Sequence, residues 1–165
     1  EPTTETVSGI SLTAHSVGIV VYPSTLTTAQ KTAMVEAIYG IVPAGIATNG
    51  AQSATVTGGD GFAKTIQWAW ATTTTVNVVT TVILEAGYEL EDVEADIQAA
   101  VEDLFLALAI GQPAYNSDVV IAARTTAELT PRPGVKQATA TLNGGASVTP
   151  AGTALLVLGT NTVTE

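Results

Sequence analysis

The chain has 165 residues, 46% of them hydrophobic and only 12% charged, and carries a net charge of −10 from 15 acids against five bases. That length and hydrophobic share suffice for a core, as one domain or two small lobes, and exclude wholesale disorder. The acidic balance, without any cluster of Lys or Arg, excludes nucleic-acid binding and disfavours anionic membrane surfaces.

The charged share is about half the usual ~25%, so solubility falls to small polar residues, and 28 of the 165 are threonine. Such a surface suits a protein packed against neighbours and a β-rich chain, because Thr fits a half-buried pleated strand. No apolar run approaches the roughly 18 residues that span a bilayer, so membrane insertion is not expected. The absence of cysteine removes disulfides and thiolate metal sites. The opening Glu1-Pro2-Thr3-Thr4-Glu5-Thr6 has no basic start, apolar stretch or initiator Met. It is no signal peptide, and the expectation is a fragment or processed product.

In chain order, residues 16–22 form a continuous apolar run that predicts a buried strand, broken at Pro23-Ser24. Thr27 or Thr28 caps a helix over 28–39, with Met34, Val35, Ile38 and Ile41 as its apolar stripe and Gly40 and Pro43 as its stop. Residues 53–58 predict an edge strand, Gly58-Gly59-Asp60-Gly61 a turn, and residues 62–71 a strand. In that strand Phe62, Lys64, Ile66, Trp68 and Trp70 share one face. Residues 76–84 read as a longer, more central strand.

The strongest helix is predicted over 91–109, opened by Gly87 and stopped by Gly111-Gln112-Pro113. Val93, Ile97, Ala100, Val101, Leu104 and Leu108 give its period, and acids crowd its first turns, where the helix dipole favours them. Residues 117–128 are ambiguous: Val119-Val120-Ile121 has strand composition, while Ser117-Asp118 as a cap and Ala122-Ala123-Arg124 favour a short helix, the preferred reading. Pro131-Arg132-Pro133-Gly134 predicts a turn, 135–142 a strand, Asn143-Gly144-Gly145 a turn, and 154–158 a closing buried strand.

Little here points to chemistry. His15 is the single histidine and has no carboxylate near it in sequence, so it reads as a turn or interface hydrogen-bonder; one copy cannot build a His-rich metal site. Eight carboxylates lie between Glu85 and Asp103. Their spacing lacks the glycine and terminal glutamate of an EF-hand loop, so they read as a solvated helix face or a docking patch for a basic surface. The Gly58–Gly61 segment lacks the Lys and Ser/Thr of a phosphate loop. Trp68 and Trp70 read as core or a protein interface ahead of a sugar-stacking platform, since no carboxylates flank them as a glycan site requires. No catalytic triad order or nucleophile elbow is present.

Three stretches form one pattern. The first is Gly9-Ile10-Ser11-Leu12 with His15-Ser16-Val17 and the strand after it. The second is Val35-Glu36-Ala37-Ile38-Tyr39 leading to Pro43-Ala44-Gly45-Ile46-Ala47-Thr48-Asn49-Gly50. The third is the acidic helix, then Ser117-Asp118, then Pro133-Gly134-Val135. In this order they resemble the baseplate J-like family, wedge proteins of phage contractile tails and related injection machines. Together they cover most of residues 9–142, whereas the Thr- and Gly-rich tail 144–165 matches nothing in that pattern. Within residues 62–75 the Arg-Pro-Thr-like pattern expected before the central strand is also missing.

The resemblance implies the C-terminal portion of a wedge protein whose usual N-terminal part is missing. The expected fold is α+β, a two-layer arrangement of a mixed or antiparallel sheet with two main helices. Residues 1–165 form a single region, with sub-lobes 9–87 and 88–165 as its division. The expected function is a structural, non-enzymatic one: assembly around the tail hub and transmission of rearrangement to the sheath. Expected partners are other copies of the chain and other wedge, hub or sheath proteins, with no nucleic acid, no cofactor and no metal. The expected location is the virion tail baseplate after assembly in the host cytoplasm. The competing reading is a receptor- or glycan-binding module; an acid-dependent hydrolase ranks third. Tyr39, Trp68, Trp70, Glu91 and Asp92 are the candidate interface residues.

Overall fold

The computed structural model describes residues 5–7, 10–59, 61–126 and 128–165. The fold is α+β, and the chain divides into two compact units, Glu1–Thr72 and Thr73–Glu165. The border falls earlier than the expected 87/88 because the strand after it is the central strand of the second unit's sheet and folds with its neighbours there.

In the first unit, β1 (Glu5–Val7) and β2 (Ile10–Leu12) form an antiparallel pair. The apolar run 16–22 is not one buried strand. It splits into β3 (Ser16–Gly18) and β4 (Val20–Val21), and Val17 and Tyr22 are exposed. The split lets the run serve two neighbours. After helix α1 (Thr28–Ile41), β3 pairs in parallel with β5 (Ala47–Asn49), while β4 pairs in parallel with β7 (Ala63–Trp70). A parallel return requires a crossover, and α1 supplies it. Between β5 and β7 runs β6 (Gln52–Thr57), antiparallel to β7 and at the edge of the order β4-β7-β6.

Helix α1 starts at Thr27, whose hydroxyl accepts from the Gln30 amide while Gln30 Oε1 accepts from the Thr27 amide. It runs through Gly40 to Ile41 and ends at the extended Val42, so Gly40 is not the stop. Val35 and Ile38 pack on Ile66 and Trp68 of β7 to make this unit's core. Buried Thr48 ties β5 to β7 by accepting from the Gln67 amide at 2.6 Å. In β7 the expected alternation holds for Ile66 and Trp68, but Phe62 lies before the strand and is exposed. Within the 58–61 turn, the Gly58 amide donates to Phe62 O and the Gly61 amide to Gly58 O; Asp60 lies outside the described residues.

The second unit is a two-layer sandwich of a sheet and two helices. Its sheet has the order β10-β8-β12, with β8 (Thr72–Leu84) in the centre, β10 (Val135–Leu142) and β12 (Ala154–Thr164). β10 is antiparallel to β8. Asn77 Oδ1 accepts from the Thr160 amide and the Thr81 and Thr164 hydroxyls meet, each contact 83 residues apart in sequence. That constant offset means β12 runs alongside β8 in the same direction, so the sheet is mixed.

Alternation in β8 sends Val76, Val78, Thr80 and Val82 inward and Val79, Thr81 and Ile83 outward. On the outer face Thr139 and Thr141 of β10 stand opposite Thr81 and Val79. The inner face is covered by α2 (Leu90–Leu106) and α3 (Asn116–Arg124), with Val93, Ile97 and Val101 of α2 and Val119 of α3 buried in the core. Two short strands, β9 (Ala114–Tyr115) and β11 (Ser147–Val148), pair beside them.

Two predicted boundaries in this unit shift. Helix α3 stops at Arg124 rather than 128, with Thr125 as its extended cap. The closing strand runs on past 158 to Thr164, because buried Val163 and half-buried Asn161 continue to face α2, where Asn161 Nδ2 donates to Gln98 O.

Candidate functional site

An open depression lies between α2 and α3. It has a volume of about 770 Å³ and lies wholly within the second unit. Its α2 wall is a second stripe, Asp96, Ala99, Ala100, Asp103 and Leu104, at helical spacing beside the core stripe of Val93, Ile97, Val101 and Phe105. Asp118 and Ile121 on α3 form the opposite wall, and Leu129 and Arg132 close one end.

Arg132 organises that end. A helix leaves its last carbonyls without intrahelical partners, and Arg132 collects three of them. Its Nε donates to Ala123 O at 2.9 Å, and Nη2 donates to Ala122 O at 3.2 Å and Thr125 O at 2.9 Å. Nη1 lies 3.5 Å from Asp96 Oδ2, so one guanidinium clamps the end of α3 to α2. The side chain is 7% exposed, whereas that of Asp96 is 77% exposed. Sequence reasoning placed Arg132 in a turn and missed this role. The one local signal was a lone Arg between two prolines just past a helix end.

The five interface candidates fall into two sets. Tyr39, Trp68 and Trp70 come together in the first unit, around one core. Trp68 is 3% exposed and belongs to that core, which leaves it no surface of its own. Its ring meets that of Trp70 edge-on, with centroids 5.7 Å apart and planes at 79°. A flat two-ring platform for a sugar face is therefore not formed. Tyr39 is partly buried and holds Lys64 Nζ 5.7 Å from its ring centroid. Glu91 and Asp92 lie in the second unit on the first turn of α2, both exposed. Asp92 Oδ2 already accepts from the Glu89 amide at 2.9 Å, a helix-start contact. Neither acid lines the depression between the helices.

The His15 backbone sits at φ 57, and its carbonyl accepts from the Ala47 amide at 3.1 Å, a turn role that positions β5 beside β3. Among the described residues no group of three or more His, Asp or Glu side chains is arranged to hold a metal ion. Among the same residues no helix is long and apolar enough to cross a membrane.

No curated protein matches this chain. The model of the family described as baseplate J-like protein C-terminal domain matches residues 76–164. The match includes the third of the resembling stretches and leaves out the two before residue 51. It also takes in the Thr- and Gly-rich tail as far as residue 164, which sequence motifs alone had left unassigned. It overlies almost all of the second compact unit, sheet and both helices included. The chain belongs to the baseplate J-like family, and residues 76–164 are its C-terminal domain.

Proposed function

We propose that this chain is a wedge subunit that assembles around the tail hub and passes baseplate rearrangement on to the sheath. As a baseplate J-like protein it is a structural component of the phage tail baseplate. In the fuller reading its neighbours are further copies of itself and other wedge, hub or sheath proteins. It is made in the host cytoplasm, joins the tail there, and runs no reaction.

The observation that carries this reading is the coincidence of the family match with one compact folding unit, Thr73–Glu165. A compact unit with its own core can move as one body, and such bodies transmit motion by repacking at their borders. The low charge supports it too, because interface centres are depleted in charged side chains.

Mass spectrometry of purified tails tests it. The chain is expected in fixed stoichiometry with sheath and tube proteins. Tails that contain sheath and tube but lack this chain overturn the reading.

A further inference from the structure

We propose that the groove between α2 and α3 receives a cationic amphipathic helix from a different polypeptide. The first support is apolar surface that serves no core. Ile121 is 55% exposed and Leu129 78% exposed, and both border the groove. Leu129 also holds φ at 59, a conformation a leucine rarely adopts. Its amide donates to Thr126 O at 2.9 Å, so this backbone closes the turn before Arg132, while the apolar side chain is left bare, the kind of feature found at binding surfaces.

The second support is shape. On the α2 wall the floor residues Ala99 and Ala100 are small, so another backbone can come close. From Asp96 to Leu104 the wall is about 12 Å long, enough for about two turns of a docked helix, which would be read by anchors at i, i+3 and i+4.

The third support is charge, and it selects the occupant. Asp96, Asp103 and Asp118 border the groove. Among the described residues only Asp96 meets a cation, the Arg132 that is itself committed to α3. Asp118 accepts from the neighbouring Ser117 hydroxyl. Arg124 lies off the groove, lining the adjacent hollow beyond Ile121 and Leu129. Lys or Arg placed beside the apolar anchors of an incoming helix would meet Asp103 and Asp118.

Among the described residues no helix is basic enough for a second copy to supply this occupant. The chain has five bases; α1 carries only Lys31, α3 only Arg124, and α2 none. The acidic α2 of a second copy would repel Asp103 and Asp118 here.

The test uses the full chain and a synthetic leucine–lysine amphipathic helix of about four turns, with a leucine–glutamate helix of the same pattern as comparison. Titration is followed by calorimetry and by methyl NMR. The lysine peptide is expected to bind, with shifts concentrated at Ala99, Ala100, Ile121 and Leu129. Asp103→Asn with Asp118→Asn is expected to weaken binding about tenfold. Glu85→Gln with Glu91→Gln removes the same charge away from the groove and is expected to weaken it less than about threefold. Ile121→Ser is expected to weaken it as strongly as the groove acids do.

Equal weakening by both acid pairs overturns the proposal, since binding is then only attraction to an acidic protein. Equal affinity for the glutamate peptide overturns it as well. So does self-association of the chain that Ile121→Ser abolishes, because a second copy would then be the occupant. Binding in solution does not depend on the chain's presence in tails, so this outcome and the tail composition are separately decided.

Discussion

Arg132→Met is expected to destabilise the second unit by about 3 kcal/mol, because three buried or half-buried carbonyls lose a charged donor together. Methionine keeps much of the volume, so the loss reports hydrogen bonding rather than a cavity. Ala122 O, Ala123 O and Thr125 O are all acceptors of this one side chain. Arg132→Lys is expected to recover only part of the loss, since an ammonium is compact and cannot span three separated carbonyls as a planar guanidinium does. Asp96→Asn removes the ion pair alone and is expected to cost less than about 1 kcal/mol, as its carboxylate is largely in water. Denaturant unfolding with residue-level hydrogen exchange checks all three, with the amides of α3 and β10 losing protection first. Equal effects of Arg132→Met and Asp96→Asn would mean that the ion pair, and not the cap, is what matters.

Gly50→Ala is expected to destabilise the first unit by about 3 kcal/mol, towards the upper end for an over-packed site. Gly50 leads from β5 into β6, and a Cβ there would fall within the backbone of Trp68 on the neighbouring strand. Backbone cannot rotate aside as a side chain can, so β6 and β7 must part. Gly40→Ala is the matched contrast. A Cβ at Gly40 meets nothing within 4 Å, and the residue is helical. That substitution is expected to stabilise by about 0.5 kcal/mol through helix propensity and unfolded-chain entropy. Tryptophan fluorescence reads both, since Trp68 and Trp70 sit in β7 of this unit. A Gly50→Ala midpoint no lower than that of Gly40→Ala would show that the two strands are not in close contact at that point.

The sequence was most readable where one local rule decided the outcome. Val93, Ile97 and Val101 repeat with helical period and are all buried in α2. The Gln30 that follows Thr27 by three positions is a local capping signal, and it caps. Reading failed where a distant neighbour decided. The apolar run 16–22 carries no record that β3 and β4 pair with different strands, so its split and exposure could not be read from composition. Gly159 looks like the end of a strand. It is instead a place inside β12 where a Cβ would meet Asn77 Oδ1 and the Thr75 methyl, contacts set more than 80 residues away. Arg132 is the same case at the candidate site, because its burial follows from where α3 ends. Of the five interface candidates, Trp68 was assigned by type, whereas inward strand phase decided its position.

The outer face of the second unit's sheet has a thermodynamic consequence. It presents Val79, Thr81, Ile83, Thr139 and Thr141, and the Thr81 hydroxyl already meets that of Thr164 at 3.1 Å. These side chains are short or branched at Cβ, and their rotamers are largely set by the strand before anything touches them. Immobilising a long, flexible side chain on association costs about 0.5–1.5 kcal/mol each, a cost that falls on the exposed Gln137 opposite Ile83 and on none of the five residues just named. Covering it therefore forfeits little side-chain freedom, and the cost left to offset is mainly that of holding two bodies together.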